Sequence, residues 1–258
     1  MRAETSDLRL VSKLADTADA ITGSRFLASD LRVESKPDRT PVTDADLAVE
    51  DEVRRLVAEA GAGEVVGEER GGSVGAGRCW LIDPIDGTKS FARGVPVWAT
   101  MLALLVDGVP TVGMVSAPAL GRRWWAGTGA GAWTSVHGEP RRIGVSGVRS
   151  LADAYLSTTD LESWVQHAAR DRYLRLADAC WTSRALGDFW QHCLVAEGAI
   201  DLAVEVEVNE WDVAALQVLV TEAGGEFSDL SGAHTHTGGS ALSSNGLLHA
   251  AALELLRG

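Results

Sequence analysis

Apolar side chains in the N-terminal part of the chain recur with the spacing of an amphipathic helix. From Leu8 onward they are three or four residues apart, which predicts a first helix with Ser6 or Asp7 as its N-cap. The polar stretch at 34–41 then predicts a loop or hairpin tip. A second apolar series follows Thr43, a typical N-cap residue, and predicts a second helix.

After these helices the pattern changes to that of β-strands. Short apolar runs are followed by two longer ones, and Asp107-Gly108 between the longer ones is typical of a hairpin turn. The first half of the chain is therefore expected to form helices packed on an antiparallel sheet. The predicted strands cover 64–67, 79–82, 97–106, 110–116, 122–126 and 130–134.

From about residue 145 onward, strand-like and helix-like segments alternate, which is typical of an α/β layer. We therefore expect two parts, an N-terminal α+β part at 1–144 and a C-terminal α/β part at 145–258. The predicted strands are 154–156, 199–206 and 241–243, and the predicted helices are 161–169, 188–197, 211–223 and 246–257.

Composition and charge narrow the range of functions. The 258 residues are 46% hydrophobic, enough for a substantial core, and the formal net charge of -13 argues against binding to a nucleic-acid backbone. Three dispersed cysteines are expected to be reduced thiols. The N-terminus lacks the layout of a signal peptide, and no apolar run approaches the roughly 20 residues of a membrane span. These features predict a soluble cytoplasmic protein without nucleic-acid or membrane partners.

The segment from Trp80 to Phe91 carries the clearest chemical signal. An apolar strand ends at Asp83, and Asp86 follows three residues later, so two carboxylates on one turn can share a hard cation such as Mg²⁺. Gly87 allows the backbone to approach a ligand, and the helix expected to begin at Thr88 offers N–H groups to an anion. Carboxylates beside an anion site suit phosphate-ester hydrolysis. The alternative is an ordinary strand-to-helix turn with solvated carboxylates.

Two further acidic segments support this interpretation. Glu68 and Glu69 also follow an apolar run, as if two adjacent strands ended at one edge of a sheet. Asp212, after Trp211, begins an apolar helix. Taken singly, the glutamates fit a solvated loop, and Asp212 fits a helix N-cap.

Together these motifs resemble the inositol monophosphatase superfamily. Gly-Glu-Glu at 67–69, Asp-Pro-Ile-Asp-Gly-Thr at 83–88 and Trp-Asp-Val-Ala-Ala at 211–215 occur in the family's order and approximate spacing. The resemblance covers nearly the whole chain, including 40–44 and 223–225. It implies a layered αβαβα sandwich and a Mg²⁺-dependent phosphomonoesterase, expected to be a homodimer, that acts on a small phosphomonoester.

The resemblance also implies roles for individual residues. Glu68, Asp83 and the carbonyl of Ile85 would hold a first Mg²⁺, and Asp83 would share a second with Asp86 and Asp212. Glu68 would contribute to a weaker third site. Asp44 and Thr88 match the pair that polarises the attacking water, with Glu68 as a further catalytic residue. The substrate would contact Asp86, Gly87, Thr88, Lys89, Arg184, Asp188, Glu205 and Asp212.

The substrate side of the site resembles the histidinol-phosphatase branch. In the Arg184-Ala-Leu-Gly187-Asp188 segment, an acid replaces the small hydroxyl residue of inositol phosphatases. Asp188 and Glu205 would suit the ammonium and imidazole of L-histidinol phosphate. Asp188 fits a helix N-cap equally well. Inositol-1-phosphate or broad-specificity sugar phosphatase activity is the leading alternative, and a non-catalytic Mg²⁺- and phosphate-binding regulator is another.

Other conspicuous residues favour structural interpretations. His234 and His236 lie in a polar segment, where solvated loop histidines are more common than a metal-binding pair. The Trp124-Trp125 pair favours core packing over base stacking. Lys36 could approach a phosphate, but a solvated lysine is favoured.

Overall fold

The structure, a computed structural model, describes residues 3–37 and 39–257; residues 1, 2, 38 and 258 lie outside it. Within these limits the chain contains two large sheets, a small hairpin and the helices that cover them. The helices are α1 (Thr5–Arg25), α2 (Asp44–Glu59), α3 (Thr88–Ala92), α4 (Leu161–Gln166), α5 (Arg170–Ala179), α6 (Asp188–Ala196), α7 (Glu210–Glu222) and α8 (His249–Arg257).

The strands alternate with these helices along the chain. Those before residue 144 are β1 (Val33–Ser35), β2 (Pro41–Thr43), β3 (Glu64–Gly67), β4 (Arg78–Asp86), β5 (Ala99–Val106), β6 (Val109–Ala117), β7 (Arg122–Gly127), β8 (Gly131–Val136) and β9 (Glu139–Arg142). Those after it are β10 (Tyr155–Thr158), β11 (Thr182–Ala185), β12 (Leu202–Glu205), β13 (Glu226–Ser228) and β14 (Ala241–Ser244).

A seven-stranded sheet forms the larger layer, in the order β3 to β9. Its strands β4, β5 and β6 are apolar on both faces because helices cover both faces there. In β4, Trp80 and Ile82 pack against the helices α1 and α2, whereas Cys79 and Leu81 pack against α6 and α7. At Gly113 on β6, a Cβ atom would lie 2.4 Å from the carbonyl oxygen of Ala215 on α7. This glycine therefore allows α7 to lie directly on the sheet.

The predicted antiparallel sheet is wrong at one edge, where β3 and β4 are parallel. The connection between them returns along the sheet instead of forming a tight hairpin, so both strands end at the same edge. Gly67 lies beside Ile82 in this register, which brings Glu68, just after β3, close to Asp83, near the end of β4. The hairpin predicted at Asp107-Gly108 is confirmed: both residues have positive φ, 51° and 77°, as a type I′ turn requires.

A five-stranded sheet forms the second layer, in the order β11-β10-β12-β14-β13. The first three strands are parallel, and β14 and β13 are antiparallel to their neighbours. The helices α6 and α7 lie between the two sheets, and α4, α5 and α8 cover the outer face. The predicted αβαβα sandwich is confirmed. One hydrophobic cluster joins both sides of residue 144, and the division into parts at 1–144 and 145–258 stays a prediction.

The ends of the first two helices differ in how well the sequence predicted them. The N-cap predicted at Thr43 is confirmed for α2, and Asp46 completes a capping box with it. At α1 the prediction is wrong, because the N-cap is Glu4 without a side-chain cap. The carboxylate of Asp7 instead accepts hydrogen bonds from Arg78.

The sequence missed β9, α5 and β11, and it indicated only the approach to β13. These elements lack a strong apolar signal. Along α5, for example, only Tyr173 and Leu176 are buried, and charged residues occupy much of the remaining surface. In the part of the chain that the structure describes, each helix falls short of the length and apolar character that a bilayer crossing demands.

His249, at the start of α8, is buried between two serine hydroxyls. Its Nε2 lies 2.9 Å from the Oγ of Ser228, whose proton is already donated to the carbonyl of Asp229. Nε2 therefore carries the hydrogen, and Nδ1 accepts from Ser244 at 2.9 Å. Burial lowers the pKa of His249, although the carboxylate of Glu226 opposes this shift.

We predict that His249 makes the fold less stable in acid. Because its folded-state pKa lies below the unfolded value of about 6.5, the unfolded chain binds the proton first and the contribution is lost as pH falls through that range. Chemical unfolding of the wild type and His249→Gln should show a stability difference that shrinks from about pH 8 to about pH 5. His137→Gln, at an exposed position, is the control. A pH-independent difference would contradict the prediction.

Candidate active site

Two strands end and three helices begin around one cleft of about 460 Å³. The strands are β3 and β4, and the helices are α3, α6 and α7. The lining residues include every predicted metal ligand and most predicted substrate contacts: Glu68, Asp83, Ile85, Asp86, Gly87, Thr88, Lys89, Asp188, Glu205 and Asp212. A larger cavity, of about 660 Å³, lies between α1 and the strands β6–β8 and contains none of these residues.

The end of β4 holds its carboxylates in a fixed turn. The strand is irregular between Asp83 and Asp86, where its register with β5 shifts. One oxygen of Asp83 accepts the N–H of Ile85 at 2.9 Å. The hydroxyl of Thr100 donates to the carbonyl of Pro84 at 2.7 Å, and Thr88 donates to the carbonyl of Ile85 at 2.9 Å. Hydrogen bonds from neighbouring groups therefore determine where this acidic turn points.

Gly87 is required by its conformation and by its neighbours. Its φ of 83° lies in the left-handed region, and an added Cβ would lie 3.0 Å from the carbonyl of Val97. The same Cβ would lie 3.4 Å from a carboxylate oxygen of Asp188. Asp188 therefore faces the turn that carries the metal-binding motif.

The turn after β3 presents Glu68 and Glu69 to a single cation. The Nζ of Lys36 lies 2.6 Å from a carboxylate oxygen of Glu68 and 2.7 Å from one of Glu69. The sequence favoured a solvated lysine, but Lys36 is largely buried and bridges the two acids. Buried Glu50 supports the same turn by accepting the N–H of Glu69 at 2.9 Å.

Asp212 is a capping partner in α7, but not its N-cap. The N-cap is Asn209, and Asp212 lies three residues later, with one oxygen accepting the N–H of Asn209 at 2.8 Å. Asp212 is therefore not the N-cap, because α7 begins at Glu210, one residue before the predicted start. The reciprocal bond orients the carboxylate beside the cleft.

The N-cap alternative for Asp188 is also wrong. Gly187 is the N-cap of α6, and that helix has no side-chain cap of its own. The carboxylate of Asp86 takes this place by accepting the N–H of Phe189 at 2.7 Å. Asp188 itself has a positive φ of 46°, a region that aspartate tolerates better than most residues. A metal-motif carboxylate thus fixes the start of the helix that carries Asp188.

The cleft is lined by more carboxylates than cationic side chains. Burial, followed by the nearby Glu68 and Asp86, raises the pKa of Asp83 well above its ordinary value. Burial and the nearby Asp188 and Asp212 raise the pKa of Asp86 similarly. Burial also raises the pKa of Asp212 to about 7. A bound cation would relieve this repulsion.

The donor set matches Mg²⁺ in chemistry but is not a closed coordination shell. Carboxylate and carbonyl oxygens are the ligands that Mg²⁺ prefers. Within residues 3–37 and 39–257, no group of three or more His, Cys, Asp or Glu side chains is already arranged around one point. The electrostatic coupling of Asp83 to Glu68, Asp86 and Asp212 nevertheless shows that they lie close together. Lys36 holds Glu68, and Mg²⁺ keeps several water ligands, so the protein oxygens need not form a closed shell before a metal binds.

Two predicted site residues lie away from the cleft. Asp44 pairs with Arg25, with 2.8 Å between the guanidinium and a carboxylate oxygen, and it is not among the lining residues. Arg184 is exposed and donates to the hydroxyl of Thr182 and the carbonyl of Ser183. The structure therefore does not bring Asp44 or Arg184 to the other site residues.

On α2, Asp46 also lies close to the acidic turn, and the sequence analysis did not name it as a site residue. It is fully buried, and its charge contributes to the raised pKa of Asp83. Burial raises the pKa of Asp46 itself to about 7, although hydrogen bonds from Thr43 oppose the shift. The Thr-x-x-Asp pattern at 43–46 predicts only that Asp46 bonds back to Thr43, so no motif identified it as a neighbour of the site.

A polar network beside Glu205 was also missed. His192 and Thr159 contact the two oxygens of Glu205 at 2.6 and 2.7 Å. Neither residue belongs to a motif that sequence reasoning could have identified. Of the loop histidines, His234 is exposed, but His236 is buried, so the prediction of solvated histidines is wrong for His236.

Comparison with known proteins agrees with the fold and the cleft. The chain is 55% identical over 246 residues to the histidinol-phosphatase of Mycobacterium tuberculosis, covering 94% of this chain and 95% of that protein. It is 49% identical to the histidinol-phosphatase of Streptomyces coelicolor, covering 94% of each. The structure of the Thermotoga maritima IMPase superposes with a TM-score of 0.86 at 29% identity, covering 98% of this chain and 97% of that one. The profile of the inositol monophosphatase family matches residues 7–257, and this chain belongs to that family.

Proposed function

We propose that this protein is a Mg²⁺-dependent phosphomonoesterase that hydrolyses L-histidinol phosphate to L-histidinol and phosphate, a step of histidine biosynthesis. Its family uses metal ions, typically Mg²⁺. The observation that carries the proposal is that five acids from β4, α6, β12 and α7 line one cleft. We assign Asp83, Asp86 and Asp212 to a metal side, because they belong to the acidic turn and the Trp-Asp motif. We assign Asp188 and Glu205 to a substrate side, where they would suit a positively charged substrate group.

The metal side would hold two to three Mg²⁺ ions. Glu68, Asp83 and the carbonyl of Ile85 would bind the first, Asp83 would share a second with Asp86 and Asp212, and Glu68 would contribute to a third. Bound Mg²⁺ makes water a stronger acid and offsets charge on the phosphoryl oxygens. All of these ligands are oxygen atoms, and burial, followed by repulsion from neighbouring acids, raises the pKa values of Asp83, Asp86 and Asp212.

On the protein side, Thr88 and an aspartate would orient the attacking water and accept its proton. The resemblance assigns this role to Asp44, which would have to leave its ion pair with Arg25 to fill it. Asp46 is not placed to replace it, because it is fully buried, one of its oxygens accepts from Thr43, and it is not among the residues that line the cleft. Lys89 and the backbone at Gly87 would contact the phosphate, because both line the cleft beside the acidic turn.

The organic part of the substrate would lie against Asp188 and Glu205. Burial and the nearby Glu205 raise the pKa of Asp188 to about 6. An ammonium or imidazolium group between the two acids would lower that repulsion through charge-assisted hydrogen bonds. Inositol 1-phosphate carries no such group, which favours histidinol phosphate. The names of the two most identical relatives reported above support the same choice.

We further propose that the protein is a cytoplasmic homodimer whose chain divides at residues 144 and 145. Support for association comes from the edge strand β11 of the smaller sheet. Trp181, immediately before this strand, is 70% exposed, which is unusual for a tryptophan in a monomer. Light scattering on the purified protein would measure the oligomeric state.

The first prediction from the proposed function concerns metal dependence. Chelation of divalent ions should abolish phosphate release from histidinol phosphate, and added Mg²⁺ should restore it, because the acidic cleft cannot bind an anionic ester unaided. By resemblance to the family, Li⁺ should inhibit. Circular dichroism before and after chelation controls for unfolding. Full turnover in excess chelator would reject the metal mechanism.

The second prediction concerns Asp83. Asp83→Asn removes a buried charge, so without divalent ions the melting temperature should rise by at least about 2–4 °C, the shift expected for 1 kcal/mol in a chain of this size. The same change should lower kcat about a thousandfold and remove the stabilisation by Mg²⁺. Asp51→Asn, on the surface, is the matched control. Near-normal turnover of Asp83→Asn would show that the assigned metal ligand is wrong.

The third prediction concerns substrate choice through Asp188. Asp188→Asn removes the charge while keeping a residue that tolerates positive φ. The kcat/KM for histidinol phosphate should fall about tenfold to hundredfold, whereas that for inositol 1-phosphate should change little or rise. Asp160→Asn, at the N-cap of α4, removes a nearby charge and serves as the control. Equal losses for both substrates would remove the main argument for histidinol phosphate.

A further inference from the structure

A buried histidine lies directly behind the substrate side of the cleft. His192, on α6, is fully buried, and its Nε2 lies 2.6 Å from Oε1 of Glu205. Its Nδ1 lies 2.7 Å from the hydroxyl of Ser243 on β14. Because the carboxylate of Glu205 accepts, Nε2 carries a hydrogen, and Nδ1 can accept the hydroxyl proton of Ser243. Both ring nitrogens thus have hydrogen-bond partners, and the ring orientation is fixed.

The second oxygen of Glu205 is held by a different residue. The hydroxyl of Thr159 donates to Oε2 of Glu205 at 2.7 Å. The same hydroxyl accepts the backbone N–H of Asp188 at 3.2 Å and the side-chain amide of Gln191 at 3.1 Å. Thr159 therefore connects the two acids on the substrate side, and it supports Asp188 at its positive φ.

We propose that His192 and Thr159 are positioning residues that hold Glu205 and Asp188 as a preformed pair of carboxylates for the cationic part of the substrate. Neither residue is required to touch the substrate or the reacting atoms. The inference rests on the proposed function, because it assumes that the substrate carries a positive charge opposite the phosphate.

The physical basis is the cost of holding two like charges together. Burial and then the charge of Glu205 raise the pKa of Asp188, and the second of these causes is the repulsion between the two carboxylates. A free glutamate side chain would turn toward solvent and would lose rotamer freedom when a ligand bound. Hydrogen bonds to both oxygens of Glu205 restrict that motion before the substrate arrives, and such preorganisation increases affinity.

The test compares His192→Leu with His192→Gln. Leucine removes both hydrogen bonds, whereas the glutamine amide can still donate toward Glu205. For His192→Leu, the ratio of kcat/KM for histidinol phosphate to that for inositol 1-phosphate should fall about tenfold, mainly through KM. Calorimetric titration with L-histidinol should show a dissociation constant that rises about tenfold. His192→Gln should recover a large part of both losses.

His249→Leu is the matched control. His249 is also a buried imidazole bonded to serine hydroxyls, but it contacts Ser228 and Ser244 outside the cleft. The variant His249→Leu should lower the melting temperature without changing the ratio of the kcat/KM values for the two substrates. If His192→Leu proves unstable, Thr159→Val tests the other oxygen of Glu205 and should lower the same ratio.

A double-mutant cycle separates positioning from direct contact. If His192 acts through Glu205, then His192→Leu should add less than about twofold to the loss caused by Glu205→Gln alone. Additive losses would overturn the inference. A wild type that shows no preference for histidinol phosphate would overturn both the inference and the proposed function. A wild type with that preference, unchanged in His192→Leu and Thr159→Val, would overturn the inference alone.

Discussion

The repulsion among the carboxylates at the ends of β3 and β4 is the constraint on which the rest of the cleft depends. Asp83 is buried within the field of Glu68, Asp86 and Asp212, and burial makes each of these charges more costly. Such an arrangement persists only if the surrounding backbone is rigid. The parallel pairing of β3 and β4 provides this rigidity by ending both strands at the same edge of a sheet covered on both faces.

Three of the acids in the cleft are held through hydrogen bonds or an ion pair of their own carboxylates. Asp83 accepts the N–H of Ile85, and Asp212 accepts that of Asn209. Glu68 is held by an ion pair with Lys36. A carboxylate held through one oxygen still offers its other oxygen to a cation. The contacts that orient the acids are therefore compatible with metal binding, except at Lys36, whose ammonium would compete for Glu68.

The sequence predicted the parts of the site that depend on short-range geometry. The acidic turn ending at Thr88 and the N-cap at Thr43 follow from neighbouring residues. Asp44 and Asp46 lie in the same short segment but in different surroundings. Two residues along a helix correspond to a rotation of about 200°, so the carboxylate of Asp44 pairs with Arg25 whereas that of Asp46 is buried. The role of Asp44 at the site stays a prediction.

Contacts between distant segments were beyond any sequence pattern. The N–H of Phe189 bonds to Asp86, so the start of α6 depends on a carboxylate 103 residues earlier in the chain. That bond also couples the two sides of the cleft. Asp86 lies in the acidic turn and accepts the N–H of Phe189 with one oxygen, and Asp188 is the first residue of α6 after its N-cap. The position of Asp188 therefore depends on the same hydrogen bond that orients Asp86.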